Sequence, residues 1–181
     1  MSDLIAQAVK TLRSGDLVAM PTETVYGLAA DASNPLAINK IFSTKGRPAG
    51  HPLIVHIANP VLKQSTQENQ FKDWERALSL WARDVPVQAL LLAQAFWPGP
   101  LTILLAPQRG LAWDLGDGGE LEYFAVRMPS RKFIHDVISA TGPVAVASAS
   151  VSGMPPMTNI NFVQGEEVAL FIDEGEIQEN L

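Results

Sequence analysis

Short apolar runs alternate along this chain with stretches of helical period, and that alternation limits the folds open to it. Leu17 to Met20, Leu53 to Ile57, Leu101 to Ala106, Val144 to Ala147 and Val168 to Ile172 read as buried strands. Elsewhere apolar residues return at three- and four-residue spacing. Leu4, Ile5, Ala8, Val9 and Leu12 mark a first helix, with Asp3 placed to cap it and Gly15 to stop it. Asn34-Pro35 marks a second, because proline fits a first helical turn, and Ala37, Ile38, Ile41 and Phe42 form its buried face. Residues 59–97 read as two helices, one with Trp74, Ala77, Leu78 and Trp81 on its stripe, the other with Leu90, Leu91, Ala95 and Phe96. The tryptophans read as core. Ser130 to Thr141 reads as a capped helix closed by Gly142.

Strands and helices interleave, and several strands follow one another with no helix between them. The expectation is an α/β fold on a mixed, not purely parallel, sheet. No repeat and no linker divides the 181 residues, so one domain over 1–181 is expected. The chain has no cysteine, which removes disulfides and thiolate metal sites from consideration. Its opening lacks a leader pattern and no apolar run approaches the ~20 residues of a membrane span, so a cytoplasmic protein without membrane contact is expected. A net charge of −6 argues against nucleic-acid binding as the main activity, and any basic site must be local.

Five segments carry polar chemistry at strand ends, where α/β proteins place ligands. Met20-Pro21-Thr22-Glu23-Thr24-Val25-Tyr26-Gly27-Leu28 offers two hydroxyls, a carboxylate and a phenol beside a glycine, and reads as a ligand-binding loop or as a solvated turn. Residues 43–52, STKGRPAGHP, hold two prolines and two glycines and are expected to be irregular. There Lys45 and Arg47 either point at one phosphate or form a solvated basic tip. His56, inside an apolar strand, is either a hydrogen-bonded core residue or a ligand contact. In Trp97-Pro98-Gly99-Pro100-Leu101-Thr102 the prolines set a turn and Thr102 offers a hydroxyl. In Phe124-Ala125-Val126-Arg127-Met128 one strand face carries a guanidinium that needs a carboxylate or phosphate, internal or from a substrate. Ser148, Ser150 and Ser152 alternate after a strand and suit a nucleotide-contacting turn. Walker A, zinc and nucleophile-elbow patterns are missing, and Gly116-Asp117-Gly118-Gly119 reads as a plain turn. This inventory suits positioning and charge stabilisation of phosphates.

In order, PTETVYGL, KGRP with PLIVHI, WPGPLT and AVRMP resemble the sequence blocks of the Sua5/YrdC/YciO family, from the first helix to about residue 175. The resemblance implies a YrdC-like domain with a twisted mixed sheet, flanking helices and a large concave cleft. It also implies an enzyme, an L-threonylcarbamoyladenylate synthase. L-threonine, bicarbonate and ATP, with Mg²⁺ accompanying the ATP, would give threonylcarbamoyl-adenylate and pyrophosphate for the t6A modification of tRNA. Transfer to tRNA would be made by other proteins, with tRNA binding weak or indirect. By position, Thr24, His56 and Arg127 would bind threonine. Lys45, Arg47, Thr102, Ser148 and Ser150 would bind ATP, with Lys45 and Arg47 catalytic; no protein-held metal is implied. The pattern departs from the family at three places. Ser150 stands for the usual asparagine, and His51 stands where asparagine is common. The chain is also expected to stop short of a strand and an arginine that follow in relatives. Two other functions suit the same blocks: a non-catalytic RNA- or ribosome-associated protein, and a carbamoyl-transfer relative with a different substrate.

Overall fold

The computed structural model describes residues 2–48, 50–58, 67–111, 113–116, 118–120, 122–160 and 167–178. Among them, seven strands form one sheet: β1 (Leu17–Pro21), β2 (Tyr26–Asp31), β3 (Ile54–His56), β4 (Thr102–Leu105), β5 (Phe124–Arg127), β6 (Val144–Ser148) and β7 (Val168–Phe171). Their order across the sheet is β4-β5-β3-β6-β2-β1-β7. β1 with β7 and β3 with β5 are parallel, and the other neighbours are antiparallel. The sheet is therefore mixed, as the strand spacing predicts. The helices are α1 (Asp3–Arg13), α2 (Pro35–Lys45), α3 (Gln67–Leu78), α4 (Val87–Phe96) and α5 (Lys132–Thr141).

Strand alternation sorts the apolar residues onto two faces. Leu17, Ala19, Leu28 and Val55 pack with Ile38 and Ile41 of α2, Trp74 and Leu78 of α3, and Leu90 and Ala93 of α4. Val18, Met20, Ala29 and Val146 pack with Ala8, Val9 and Leu12 of α1 and Ile134, Val137 and Ile138 of α5. On this second face the cover stops partway across the sheet. Over β3, β5 and β4, Ile54 and Ala125 are only half-buried. Leu104, on the same face by register, is 67% exposed. That uncovered half of the sheet is the floor of the cleft.

Several local expectations need correction. Tyr26–Asp31 forms a strand, β2, where the sequence predicts only a loop or turn through Leu28. Gly27 and the small residues Ala29 and Ala30 give neither an apolar run nor clean alternation. Ser2, not Asp3, caps α1, its hydroxyl accepting from the Ile5 amide at 3.4 Å. α2 continues through Ser43, Thr44 and Lys45, into the segment expected to be irregular, and stops at Gly46 with φ 57°. α4 buries Ala89, Leu90 and Ala93, while Leu91 is 54% and Phe96 57% exposed and Ala95 also faces outward. That helix is apolar on nearly every side, so its pattern could not choose a face. Trp81 lies beyond the end of α3 and is half-buried. α5 has Arg131 at its N-cap without a side-chain hydrogen bond, so Ser130 does not cap it. The helix expected from residue 59 begins, in part, outside the described residues.

Candidate functional site

The loop between β1 and β2 is a turn stapled by its first threonine. The Thr22 hydroxyl donates to the Val25 carbonyl at 2.7 Å and accepts from the amides of Thr24 at 3.3 Å and Val25 at 3.2 Å. The Thr22 amide closes the turn on the same carbonyl at 2.9 Å. One short polar side chain thereby replaces the solvent that such a turn would need. Glu23 sits at its tip. Gly27 follows in β2, where a Cβ would stand 2.6 Å from Val146 Cγ1, so only glycine lets β2 approach that side chain.

Arg127 ends β5, and cross-strand register places it in one row with Thr102 of β4 and His56 of β3. Residues opposite one another share a face. Arg127 as a whole is only 8% exposed. Its Nε donates to Glu23 Oε1 at 3.1 Å and to the Gly99 carbonyl at 3.4 Å. Its Nη2 stands 2.7 Å from Glu23 Oε1 as an ion pair, yet is buried with no acceptor in line with its hydrogens. The carboxylate that the buried arginine required is thus internal. The Trp97–Leu101 segment serves the same residue. Trp97 Nε1 donates to the Leu101 carbonyl at 2.6 Å, and the Gly99 amide donates to Met128 O at 2.8 Å. A Cβ on Gly99 would lie 2.4 Å from Phe96 O. Its glycine is there because the backbone must pass that close.

His56 is 2% exposed, and its Nδ1 lies 3.3 Å from the Ile54 carbonyl. A carbonyl only accepts, so Nδ1 carries the proton and Nε2 presents a lone pair. Nε2 is buried without a partner. Burial first, and the Arg127 charge second, push the imidazole pKa down to about 3. The ring is neutral near pH 7 and acts as an acceptor.

Lys45 is not in a loop. It closes α2 at 3% exposure, and its ammonium donates to the main-chain carbonyls of Ser148 and Ser150 and to Ser148 Oγ at 3.2 Å. Burial, and then the Arg47 charge, lower its pKa to about 8. All three ammonium hydrogens are engaged, so Lys45 cannot serve as a base toward Ser148. Ser150 Oγ lies 3.1 Å from Ser148 Oγ. The contact to Lys45 runs through the Ser150 carbonyl, which any residue at that position would supply. Arg47 stands at the mouth, its Nε donating to His51 O at 2.8 Å and its Nη2 to Pro52 O at 3.3 Å.

Thr24, Arg47, His56, Arg127 and Ser148 line one cavity of about 320 Å³, together with Gly27 and Val146. Five of the eight residues singled out from the sequence are therefore in its wall. Lys45 and Ser150 stand directly behind Ser148, and Thr102 stands beside Arg127 without lining the wall. Glu23 carries no role in the sequence expectations above; the demand of a buried Arg127 for a carboxylate is the signal that points to it. The wall offers a guanidinium for an anion, an imidazole whose unpaired Nε2 lies buried just beneath it, the hydroxyls of Thr24 and Ser148, and a cation at the rim. Ser148, the serine in this wall, is bonded to the Lys45 ammonium and the Ser150 hydroxyl and not to a base, so the wall as described binds and stabilises charge without a serine–base pair. Among the described residues no three His, Cys, Asp or Glu side chains gather as a metal cluster, and no helix is long and apolar enough to cross a membrane.

The family described as "Telomere recombination" (Sua5_yciO_yrdC) matches residues 10–181. A threonylcarbamoyl-AMP synthase of Pyrococcus abyssi is 40% identical over 169 residues, covering 91% of this chain and 45% of that protein. One of Bacillus subtilis is 38% identical over 175 residues, covering 94% of this chain and 46% of that protein. The crystal structure of P. abyssi Sua5 complexed with L-threonine superposes with a TM-score of 0.78 at 38% identity, over 95% of this chain and 47% of that chain. The chain spans about half the length of these relatives.

Proposed function

Because the chain belongs to the Sua5/YciO/YrdC family, we propose that it is a threonylcarbamoyl-AMP synthase, acting on L-threonine, bicarbonate and MgATP. The observation that carries this reading is the pair of unsatisfied groups in one cavity wall. Arg127 Nη2 has hydrogens without an acceptor, and His56 Nε2 has a lone pair without a donor. Buried polar atoms left unpaired are costly, and a ligand that satisfies both removes the cost. An α-amino acid with a β-hydroxyl brings a carboxylate for Arg127 and a hydroxyl or amine hydrogen for His56, with the Thr24 hydroxyl beside them. The complex of the P. abyssi relative with L-threonine supports the same assignment.

The rest of the wall then takes ATP. The threonine amine, once deprotonated, takes up the carbon of bicarbonate with loss of water to form a carbamate. A carbamate oxygen attacks the α-phosphorus, the bond to the β-phosphate oxygen breaks, and pyrophosphate leaves. Negative charge accumulates on phosphoryl oxygens, and Arg47 at the rim, with Lys45 held behind Ser148, supplies positive potential there. Removing one such donor is expected to slow turnover by ~10²–10³-fold. Ser148 adds a hydroxyl contact from the wall, with Ser150 bonded behind it, and Thr102 lies outside the wall beside Arg127. The adenylate would pass to other proteins for attachment to tRNA in the cytoplasm.

Incubating the purified protein with labelled bicarbonate, L-threonine and ATP tests this. Labelled adenylate and pyrophosphate are expected in equal amounts, and both are expected to vanish when threonine is omitted. Pyrophosphate release independent of threonine would refute the reading.

A further inference from the structure

We propose that Glu23 is the positioning residue for Arg127, holding the guanidinium by its Nε edge so that Nη hydrogens remain directed at an incoming carboxylate. The proposal rests on the reading of the cavity as an amino-acid site. Glu23 does not line the cavity, so its influence passes through Arg127.

Three observations support a role in orientation. Glu23 is presented by a turn whose backbone is pinned at both ends by Thr22, so its carboxylate has little freedom to follow the guanidinium. Its Oε1 contacts both Nε and Nη2 of Arg127, while the Gly99 carbonyl meets the same Nε. Two acceptors from separate loops set the plane of the guanidinium before any ligand arrives. Finally, Nη2 and Glu23 Oε2 are both buried without hydrogen-bond partners. A pair serving only to neutralise a buried charge would gain by forming the two parallel bonds of a bidentate contact. Here that contact is not made, and the unused Nη2 hydrogens lie buried beneath the wall that Arg127 gives the cavity. Arginine's rotamer freedom is lost during folding, and binding no longer has to supply it.

The competing role is a counter-charge alone, which permits the arginine to be buried and has no bearing on its direction. Two substitutions separate these roles. Glu23→Gln keeps the reach and an acceptor oxygen but loses the charge. Glu23→Asp keeps the charge but is one methylene too short. Positioning predicts that L-threonine binding, measured calorimetrically, weakens about tenfold or more in Glu23→Asp and stays within about threefold in Glu23→Gln. Thermal melting is expected to rank them oppositely, because Glu23→Gln leaves a buried cation uncompensated. Weaker threonine binding by Glu23→Gln than by Glu23→Asp, or equal binding by both and the parent, overturns the proposal.

A second measurement needs no substrate. In the ligand-free protein the Arg127 Nε–H signal in nitrogen-proton NMR is expected to exchange slowly in the parent and Glu23→Gln, and fast in Glu23→Asp. Slow exchange in Glu23→Asp refutes the role of Glu23 whatever binds. If instead the exchange pattern holds and the parent binds no L-threonine, the amino-acid reading fails and the positioning of Arg127 stands.

Discussion

The ammonium of Lys45, at the end of α2, is bonded to the main-chain carbonyl of Ser148, at the end of β6, and to that of Ser150 beyond it. A helix and a strand distant in sequence are thus joined at the edge of the cavity by a buried cation. The same cation lies one hydroxyl away from the wall, through Ser148 Oγ. Positive potential at the cavity edge and bracing for the serine turn come from one side chain.

Lys45→Ala is therefore expected to do two things at once. It removes a positive charge from the site, and it leaves two inward-facing carbonyls without a donor. At about 1–3 kcal/mol per buried orphan, the urea-derived stability should fall by about 2–6 kcal/mol. Arg47→Ala removes a rim cation bonded only to loop carbonyls, so stability should stay within about 0.5 kcal/mol while adenylate formation falls. Equal stability losses in the two variants would contradict the bracing role.

How much of this was legible beforehand varies with the kind of signal. Strands carried by uninterrupted apolar runs, such as Leu17 to Met20, were readable because burial on both faces leaves no polar position. β2 was not, since Gly27 and the paired alanines reflect close strand approach and carry no pattern of their own. Thr24, Arg47, His56, Arg127 and Ser148 were legible as chemistry, and the structure brings them to one wall. The context of Lys45 was missed because glycine and proline after it suggested a loop, whereas a helix can run up to a left-handed Gly46 and stop there. Glu23 was missed because its value depends on Arg127, 104 residues away, and long-range pairing leaves no local trace.

The neutrality of His56 has a consequence for acid stability. Its pKa is pushed down to about 3 in the fold, from 6.5. As pH falls between those values the unfolded chain binds a proton that the folded chain refuses, so stability is lost across that window. His56→Leu removes this contribution, and its stability should fall less steeply from pH 6.5 to pH 3 than that of the parent. Chemical denaturation at several pH values measures the slopes. Identical slopes would mean that the imidazole is not held neutral. L-threonine affinity in the parent should be flat around neutrality, because no proton enters or leaves Nε2 there.

Arg127→Lys keeps the charge and loses the fork. A lysine ammonium can reach Glu23 or an incoming carboxylate, but it cannot offer separate edges to both. L-Threonine binding is expected to weaken by about tenfold or more. ATP binding, assigned above to Arg47, to Ser148 and to Lys45 behind it, should change by less than about threefold. Titration of each ligand separately checks the split. Parallel losses for both would indicate that the cavity as a whole had been disturbed.

Gly99→Ala tests whether the turn after α4 serves Arg127 or only the fold. The added Cβ would meet the Phe96 carbonyl oxygen at 2.4 Å, and main chain cannot yield as a flexible side chain does. The turn cannot swing outward freely either. Trp97 Nε1 holds Leu101 O on one side, and the Gly99 amide holds Met128 O on the other. Relief must come from a shift of the Gly99 peptide, at a cost of about 1–3 kcal/mol in stability. The same shift moves the carbonyl that accepts from Arg127 Nε at 3.4 Å. The guanidinium then keeps Glu23 as its remaining guide, and L-threonine affinity should weaken by several-fold in step with the drop in melting temperature. A variant that melts lower yet binds threonine as the parent does would assign Gly99 to packing alone and leave Glu23 as the residue that aims Arg127.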